Sequence, residues 1–223
     1  MIRTLFLFLF LFTFQFLSAQ APKWDSTFRP GGYKLKVEQF QSYNDKDAII
    51  FLGNSITAGT DWSELLQMEN VRNRGISSDI TFGVLERLEE VTSGKPKKVF
   101  VLIGINDISR NIPDSQILKN YCRIIEQIKS SSPSTKIYFH TLLPVNNSFP
   151  PRNQFNKDEH ILLVNAGLKN IAKEYGINLI DLHPHFLNDE KKLDKKYTTD
   201  GLHLNVAGYK LWASILKKSG YLK

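Results

Sequence analysis

Cysteine is almost absent from this sequence, since Cys122 is the only one among 223 residues. A single thiol excludes an internal disulfide, so the stability of the folded chain must come from its hydrophobic core. Metal-binding patterns are absent as well: His183 and His185 lie close together, but no cluster of cysteines or carboxylates accompanies them. We therefore predict no resident metal, and no other cofactor is predicted either.

No apolar run reaches the roughly 20 residues that a helix needs to span a bilayer. The longest run, LFLFLFLFTFQFL, covers 13 residues, follows Arg3 and precedes Ser18-Ala19-Gln20-Ala21. A positive start, a short apolar core and small residues at the end are typical of a secretory signal peptide. We predict a signal peptide over residues 1–21, cleaved after Ala19 or Ala21, with an uncleaved anchor as the alternative. The mature protein is then secreted or periplasmic, without stable membrane insertion.

A concentrated basic surface is also missing. Lysine and arginine exceed aspartate and glutamate by 29 to 22, for a net charge of +7, but the lysines are scattered in pairs along the chain. No basic stripe alternates with stacking aromatic residues, so nucleic acid is not a predicted partner. The length suits one sizeable domain, and nothing in the sequence specifies an oligomeric state.

Two segments follow the predicted signal peptide. Residues 22–46 form a polar arm with a few aromatic residues, which we expect to pack onto a domain over residues 47–223. In that domain, short unbroken apolar runs, typical of strands buried on both faces, occur at AIIFLG (48–53), KVFVLIG (98–104), KIYFHTLL (136–143) and NLIDL (178–182). VRNRGI (71–76) is a candidate for a further short strand. Segments of helical period lie at 79–93, 114–131, 158–175 and 206–218. The alternation predicts an α/β fold, a three-layer α/β/α sandwich with a mainly parallel central sheet.

Polar residues follow several of the predicted strands. Ser55 follows the first strand, Gly75 the second and Asn106 the third, and the segment TTDGLHLN before the last helix contains Asp200 and His203. In parallel sheets, ligands bind beyond the carboxyl ends of the strands, so we expect these five residues to converge there. Serine, histidine and aspartate are the parts of a nucleophilic acyl-transfer site, whatever their order in the chain.

Each residue type has a reason in that chemistry. A serine hydroxyl needs a base to take its proton, and the imidazole of His203 suits this role because histidine titrates near pH ~6.5. Asp200, three residues earlier, can fix the ring tautomer. The N–H groups of Ser55 and Gly75 and the side-chain amide of Asn106 are candidate oxyanion donors, each such donor being worth about 2.7–4 kcal/mol of barrier. Taken singly, Ser55 also suits a helix N-cap and Asp200 a turn.

Four sequence blocks, in this order, resemble the SGNH hydrolases, also called GDSL-type esterases: GNSITAG with Ser55, NRGISSD with Gly75, GIND with Asn106, and DGLH with Asp200 and His203. The resemblance implies a flavodoxin-like α/β/α fold and a metal-free serine esterase mechanism with the roles given above. The chain is most similar to the branches of platelet-activating-factor acetylhydrolases and bacterial carbohydrate O-acetylesterases. It departs from the family motif at Asn54, which stands where the motif has aspartate.

The loop PVNNSFPPRNQFNKD (144–158) is long for a connection between a strand and a helix. Long loops at the carboxyl ends of strands often shape a pocket. We therefore interpret Asn146, Asn147 and Arg152 of this loop, together with Asn54, as candidate substrate contacts. The alternative is a variable surface loop.

These observations predict a secreted serine esterase that removes short acyl groups, foremost acetyl, from a small-molecule or glycan ester. One alternative is a lysophospholipase or thioesterase of the same family, which requires a wide apolar groove. Another is a flavodoxin-like module that binds phosphate or flavin at the loop after the first strand and has no use for His203. A third is a binding module that kept the fold without the chemistry.

Overall fold

The structure is a computed structural model that describes residues 24–43 and 46–223. The described part contains a five-stranded, fully parallel sheet in the order β2-β1-β3-β4-β5. Its strands are β1 (Ile49–Gly53), β2 (Val71–Gly75), β3 (Lys98–Leu102), β4 (Lys136–His140) and β5 (Asn178–Ile180). This order is that of doubly wound, flavodoxin-like sheets, and it confirms the predicted fold class. The predicted signal peptide, residues 1–21, lies outside the described residues.

The apolar runs form strands because the sheet is covered on both faces. Every residue of β1 and of β3 is buried, as continuous apolar runs in parallel sheets require. Several strands end a few residues before their apolar run does. The remaining residues, among them Ile103, Leu142 and Leu143, stay in the core while the chain turns into the segments that carry the candidate site.

Helices pack against this sheet in two groups. Helices α4, α5, α7 and α8 contact one another, whereas α3 contacts α9. The helices are α1 (Tyr33–Ser42), α2 (Ser55–Ala58), α3 (Trp62–Leu66), α4 (Thr81–Glu86), α5 (Leu88–Thr92), α6 (Ile105–Ser109), α7 (Asp114–Ser131), α8 (Asp158–Tyr175) and α9 (Val206–Lys218). The last three have the predicted bounds. Gly176 ends α8 at φ 61°, and the Asn205 side chain caps α9 by accepting from the Gly208 N–H at 3.0 Å.

The segment 79–93 is helical, as predicted, but it is not one helix, since the structure has two short helices, α4 and α5, that meet at Arg87. The Arg87 backbone N–H is shared between the carbonyl groups of Gly83 and Val84, and its dihedral angles are φ −106° and ψ 12°. Its side chain is buried and bonded to four groups. Tertiary contacts here override a continuous helical pattern.

The N-terminal arm contacts the domain where the structure describes it. In α1, Tyr33 and Phe40 form a small apolar cluster with Ile76, which follows β2. The Tyr33 hydroxyl donates to the Gly83 carbonyl at 2.6 Å. Among the residues described, no helix is both long and apolar enough to cross a membrane.

Candidate active site

A serine, a histidine and an aspartate from distant parts of the chain meet at the carboxyl end of β1. The Ser55 Oγ atom lies 3.0 Å from His203 Nε2. On the other side of the ring, His203 Nδ1 lies 2.7 Å from Asp200 Oδ2. One line of hydrogen bonds therefore connects the three side chains. Ser55 and His203 are 148 positions apart in the sequence.

The residue before the serine shapes the turn that presents it. Asn54 has extended backbone angles, and its Oδ1 atom accepts from the Ile56 N–H at 3.0 Å, so the short helix α2 begins at Ser55. Asn54 is only 1% exposed. The prediction that it contacts substrate is therefore wrong, because its side chain is turned into the protein to cap α2.

The acid and the base share a compact turn. Asp200 Oδ1 accepts from the backbone N–H groups of Leu202 at 3.0 Å and of His203 at 2.8 Å. Gly201 has φ 79°, in the left-handed region that favours glycine. Thr198 Oγ1 donates to the His203 carbonyl at 2.7 Å and accepts from the Gly201 N–H at 3.0 Å. These bonds explain why a spacing of three residues suffices to bring the carboxylate to the ring.

The charge on Asp200 determines which nitrogen of the His203 ring carries the proton. Burial raises the pKa of Asp200, but hydrogen bonds from the His203 ring, the His203 N–H and the Leu202 N–H outweigh it and lower that pKa to about 2. The carboxylate is thus ionised throughout the neutral range and can only accept. His203 Nδ1 must then carry a proton, which leaves the lone pair of Nε2 facing the Ser55 hydroxyl in the neutral ring.

Gly75 lies next to the serine turn, but its N–H already has an acceptor. It donates to Asn73 Oδ1 at 2.8 Å, so the prediction of a free oxyanion donor at Gly75 does not fit the structure. A Cβ atom at this position would come within 2.4 Å of the Ala58 N atom and 2.8 Å of the Asn54 O atom. Glycine is needed for the close approach of β2 to the backbone of the serine turn, not for an approach to substrate.

Ser78, three residues after Gly75, is exposed, and its φ of 64° lies in the left-handed region. In the part of the chain described, its backbone N–H has no hydrogen-bond acceptor. The carbonyl group of the next residue, Asp79, accepts from Asn106 Nδ2 at 3.0 Å. Six other non-glycine residues of the described chain, among them Asp47 and Lys191, also have positive φ, so this conformation alone does not mark Ser78 as functional.

Asn106 follows β3 at the start of α6 and is 6% exposed. Besides the bond from Nδ2 to Asp79, its Oδ1 atom accepts from Gln154 Nε2 at 3.2 Å. One N–H of the amide is left for another acceptor. Its neighbour Asp107 is structural, because the carboxylate accepts from the N–H and hydroxyl of Thr81. Burial raises the pKa of Asp107 to about 7, although the Thr81 bonds oppose that rise.

Comparison with known proteins identifies the family. A model of the GDSL-like lipase/acylhydrolase family matches residues 51–211. The chain belongs to this family. It is therefore an acylhydrolase, a hydrolase of carboxylic esters, as the resemblance implied. No curated protein matches the sequence.

Solved structures agree with this assignment. A structure from Streptococcus pneumonia named for platelet activating factor is 29% identical, with a TM-score of 0.79 over 86% of this chain and 92% of that one. A GDSL-like lipase from Bacteroides thetaiotaomicron shares the fold at 24% identity, with a TM-score of 0.73 over 84% and 96% of the two chains. An acetylxylan esterase from Geobacillus stearothermophilus, a catalytic mutant, shares it at 21% identity, with a TM-score of 0.65 over 79% and 95%.

In this member of the GDSL-like family, the segment between β4 and α8 crosses the site; we call residues 144–157 the bridging loop. Asn146 is buried, and its Nδ2 atom donates to the Leu193 carbonyl at 2.7 Å. Its prediction as a substrate contact is therefore wrong, since it ties the base of the loop to the protein. Asn147 is exposed and donates to Asn156 Oδ1 at 2.7 Å.

Two side chains of the bridging loop contact residues of the candidate active site. Arg152 Nη2 lies 2.8 Å from Asp200 Oδ2, so this arginine contacts the acid of the triad. Gln154 contacts Asn106, as described above, and sequence reasoning missed it. The length of the loop was the only signal that pointed to it, because a glutamine on a loop carries no pattern of its own.

The remaining histidines lie outside this arrangement. His140 is buried, lies 3.2 Å from the Val101 carbonyl through Nδ1, and accepts from Trp212 Nε1 at 3.2 Å. Burial lowers the pKa of His140 to about 3, so it is a neutral core histidine. His160 is exposed and contacts Asp114. Within the described ranges, no three histidine, cysteine or acidic side chains, His183 and His185 included, group as metal ligands.

Proposed function

We propose that this member of the GDSL-like family is a secreted serine esterase that removes short acyl groups, foremost acetyl, from carbohydrates. Ser55 is the nucleophile, His203 the general base and acid, and Asp200 the group that orients the ring. The observation that carries the proposal is the line of contacts from Ser55 Oγ to His203 Nε2 at 3.0 Å and from His203 Nδ1 to Asp200 Oδ2 at 2.7 Å. Both distances are within hydrogen-bonding reach, so His203 can take the proton of Ser55 while Asp200 holds the ring in place.

The reaction proceeds in two halves. Ser55 Oγ attacks the carbonyl carbon of the ester while Nε2 takes the hydroxyl proton, and the resulting tetrahedral oxyanion collapses with release of the alcohol, to which Nε2–H returns the proton. Water then attacks the acyl-enzyme with the same base. The proposed donors to the oxyanion are the backbone N–H groups of Ser55 and Ser78 and the remaining N–H of Asn106. Ser78 replaces Gly75 in this role because the Gly75 N–H is bonded to Asn73.

Polar surroundings support a sugar substrate. The exposed positions of the bridging loop include Asn147 and Ser148, which suit a ligand rich in hydroxyl groups. The large exposed apolar side chains among the residues described are spread over the arm, α8 and the start of α9, at Trp24, Leu35, Tyr43, Leu162, Leu163 and Val206. A lysophospholipase would instead concentrate such side chains in a groove for the acyl tail. The fold accommodates the proposed substrate class, since an acetylxylan esterase shares it.

Export is proposed from the sequence of residues 1–21 alone, whose positive start, short apolar core and small residues are typical of a signal peptide. It brings the enzyme into contact with extracellular or periplasmic glycans. Expression of the full chain with mass determination of the mature N-terminus tests this directly. A mature chain that begins at Gln20 or Pro22 supports the proposal, and a chain that keeps Met1–Ala19 contradicts it.

The Ser55→Ala variant tests the nucleophile. We expect hydrolysis of p-nitrophenyl acetate to fall by about 10³-fold or more, because the hydroxyl that forms the acyl-enzyme is gone. Thermal unfolding should be unchanged, since the half-buried Ser55 hydroxyl is hydrogen-bonded to His203 alone among the described residues. Equal rates for Ser55→Ala and the wild type would reject the mechanism.

Substrate class is tested on the wild type. Acetate release from acetylated xylan and other acetylated glycans should exceed release of long acyl chains from p-nitrophenyl esters, with Ser55→Ala as the blank. A preference for long chains would instead support the lysophospholipase alternative.

A further inference from the structure

We propose that the bridging loop sets the geometry of both halves of the candidate active site, with Arg152 as the positioning residue for Asp200 and Gln154 as the positioning residue for Asn106. The inference rests on the proposed function, because it assigns roles to groups that act through the triad acid and through an oxyanion donor. Neither side chain needs to touch the substrate to perform this role.

Gln154 determines which way the Asn106 amide faces. Asn106 Oδ1 accepts from Gln154 Nε2 at 3.2 Å, and Asn106 Nδ2 donates to the Asp79 carbonyl at 3.0 Å. A flipped amide would place NH₂ against NH₂ on one side and oxygen against oxygen on the other, losing both bonds. The two contacts together therefore fix the position of the one amide N–H that is left to stabilise negative charge.

Arg152 completes the set of donors around the Asp200 carboxylate. Oδ1 accepts the two backbone N–H groups of Leu202 and His203, and Oδ2 accepts the His203 ring at 2.7 Å and Arg152 Nη2 at 2.8 Å. A carboxylate offers about four lone-pair positions, so all of them are used. Arg152 thereby restrains the plane of the carboxylate, and the carboxylate restrains the ring of His203.

The loop is attached firmly enough to transmit such restraint. The Phe155 N–H donates to the Arg152 carbonyl at 3.0 Å, which closes a turn with Gln154 inside it. Phe155 is buried, and a Cβ on Gly201 would come within 2.9 Å of its ring. The Asn146 N–H donates to the Gly201 carbonyl at 2.8 Å. The base and the turn of the loop thus both contact the segment that carries Asp200 and His203.

The sequence also makes Arg152 a candidate substrate contact, and kinetics separate this role from a positioning role. A residue that binds substrate uniformly raises KM when it is removed, whereas a residue that aligns a catalytic group lowers kcat. Alignment errors also disappear when the aligned group is itself removed, because contacting residues are not additive. These two signatures define the experiment.

For Arg152, we compare Arg152→Gln and Arg152→Lys with the matched control Asn153→Ala, whose exposed side chain makes no hydrogen bond within the described chain. On p-nitrophenyl acetate, Arg152→Gln should lower kcat by about tenfold with KM within about twofold, because misplacement of a catalytic group acts on the chemical step. Arg152→Lys should recover part of the loss, since an ammonium group still donates to Asp200. In the Asp200→Asn background, the Arg152→Gln effect should shrink to less than about twofold.

For Gln154, the informative pair is Gln154→Ala and Gln154→Glu. The alanine removes the donor and should lower kcat by about threefold to tenfold. The nearly isosteric glutamate places an oxygen against Asn106 Oδ1, which favours the flipped amide, so its loss should be several-fold larger. Both losses should vanish in the Asn106→Ala background, and thermal unfolding should change no more than in Asn153→Ala.

A rise in KM with unchanged kcat, equal losses for Gln154→Ala and Gln154→Glu, or losses that persist in the Asp200→Asn and Asn106→Ala backgrounds would each overturn the inference. These results differ from failure of the proposed function itself. In that case Ser55→Ala would be as active as the wild type, or the wild type would hydrolyse none of the esters.

Discussion

The two halves of the candidate active site are held in place by different means. The serine half, with Ser55 and Asn106, stands on the carboxyl ends of β1 and β3 and is supported by buried polar groups. The acid–base half, with Asp200 and His203, is a partly exposed turn before α9, joined to the rest of the site by the bridging loop. Residues of the first half are part of the folded core, and residues of the second are attached to it.

Arg87 shows how deeply the serine half is built into the core. Its guanidinium is fully buried and bonds to Asp79 at 3.0 Å and to Glu90 at 2.9 Å. The same group donates to the carbonyl of Gly53, two residues before the nucleophile, and to that of Arg74. Asp79 in turn supplies the carbonyl that holds Asn106. A change in this network should therefore affect folding before it affects chemistry, whereas a change in the acid–base turn should do the reverse.

Asp200→Asn should give the largest difference between the two halves, a large loss of activity with little loss of stability. An amide can present its NH₂ to His203 Nδ1 and so favour the wrong ring tautomer, and we expect kcat/KM to fall by about 10²- to 10⁴-fold. Because this side chain is 26% exposed and its ion pairs are near the surface, the free energy of unfolding should change by less than about 1 kcal/mol. Ester hydrolysis and urea unfolding on the same preparation measure both. A variant that unfolds easily would show that the turn belongs to the core after all.

Arg87→Met should have the opposite profile. Burial raises the pKa of Asp79 and of Glu90 while the Arg87 charge lowers both, so its removal leaves two buried carboxyl groups without their main counter-charge. Breaking a buried ion pair from one side costs about 3–5 kcal/mol of folding free energy, and we expect a loss of that size in urea unfolding. Activity per folded molecule should stay within about tenfold of the wild type at low temperature.

Arg123→Met serves as the control for Arg87→Met, since Arg123 is exposed on α7. Its substitution should change the free energy of unfolding by less than about 0.5 kcal/mol. An Arg87→Met variant as stable as this control would mean that the buried network does not support the serine half.

The same difference between the two halves explains which parts of the fold and of the site could be predicted from the sequence. Strands buried on both faces left apolar runs, and α7, α8 and α9 left clean helical periods, so the fold class, the positions of the strands and the bounds of these three helices could be predicted. The short helices α2, α3 and α6 could not. Ser55, Asp200 and His203 could be placed together because polar residues at the carboxyl ends of parallel strands share one edge of the sheet. The break at Arg87 could not, since its buried side chain bonds to the carbonyl groups of Gly53 and Arg74, which are distant in sequence and leave no local pattern.

Substrate contacts and oxyanion donors were harder to predict for a related reason. Asparagine and glycine serve caps, loop anchors and close backbone contacts as readily as they serve ligands. Asn54 and Asn146 proved to be a cap and a loop anchor, and the Gly75 N–H proved to be bonded to Asn73. The role of such a residue depends on its burial and on its contacts with distant parts of the chain. Neither can be read from the local sequence.

Of the three substitutions Asp200→Asn, Arg87→Met and Gly75→Ala, the last should have the smallest effect, but it acts directly where β2 meets the turn that carries Ser55. The substitution keeps the backbone N–H and adds a Cβ that would lie 2.4 Å from the Ala58 N atom, so β2 and the serine turn must move apart. We expect a loss of about 1–3 kcal/mol in urea unfolding together with lower kcat, because the turn that moves carries Ser55. Gly31→Ala is the control, since a Cβ there meets no atom within 4 Å. A Gly75→Ala variant as stable as Gly31→Ala would contradict the close approach of β2 to the serine turn, and because the substitution leaves the backbone N–H in place, it tests packing and not an oxyanion role.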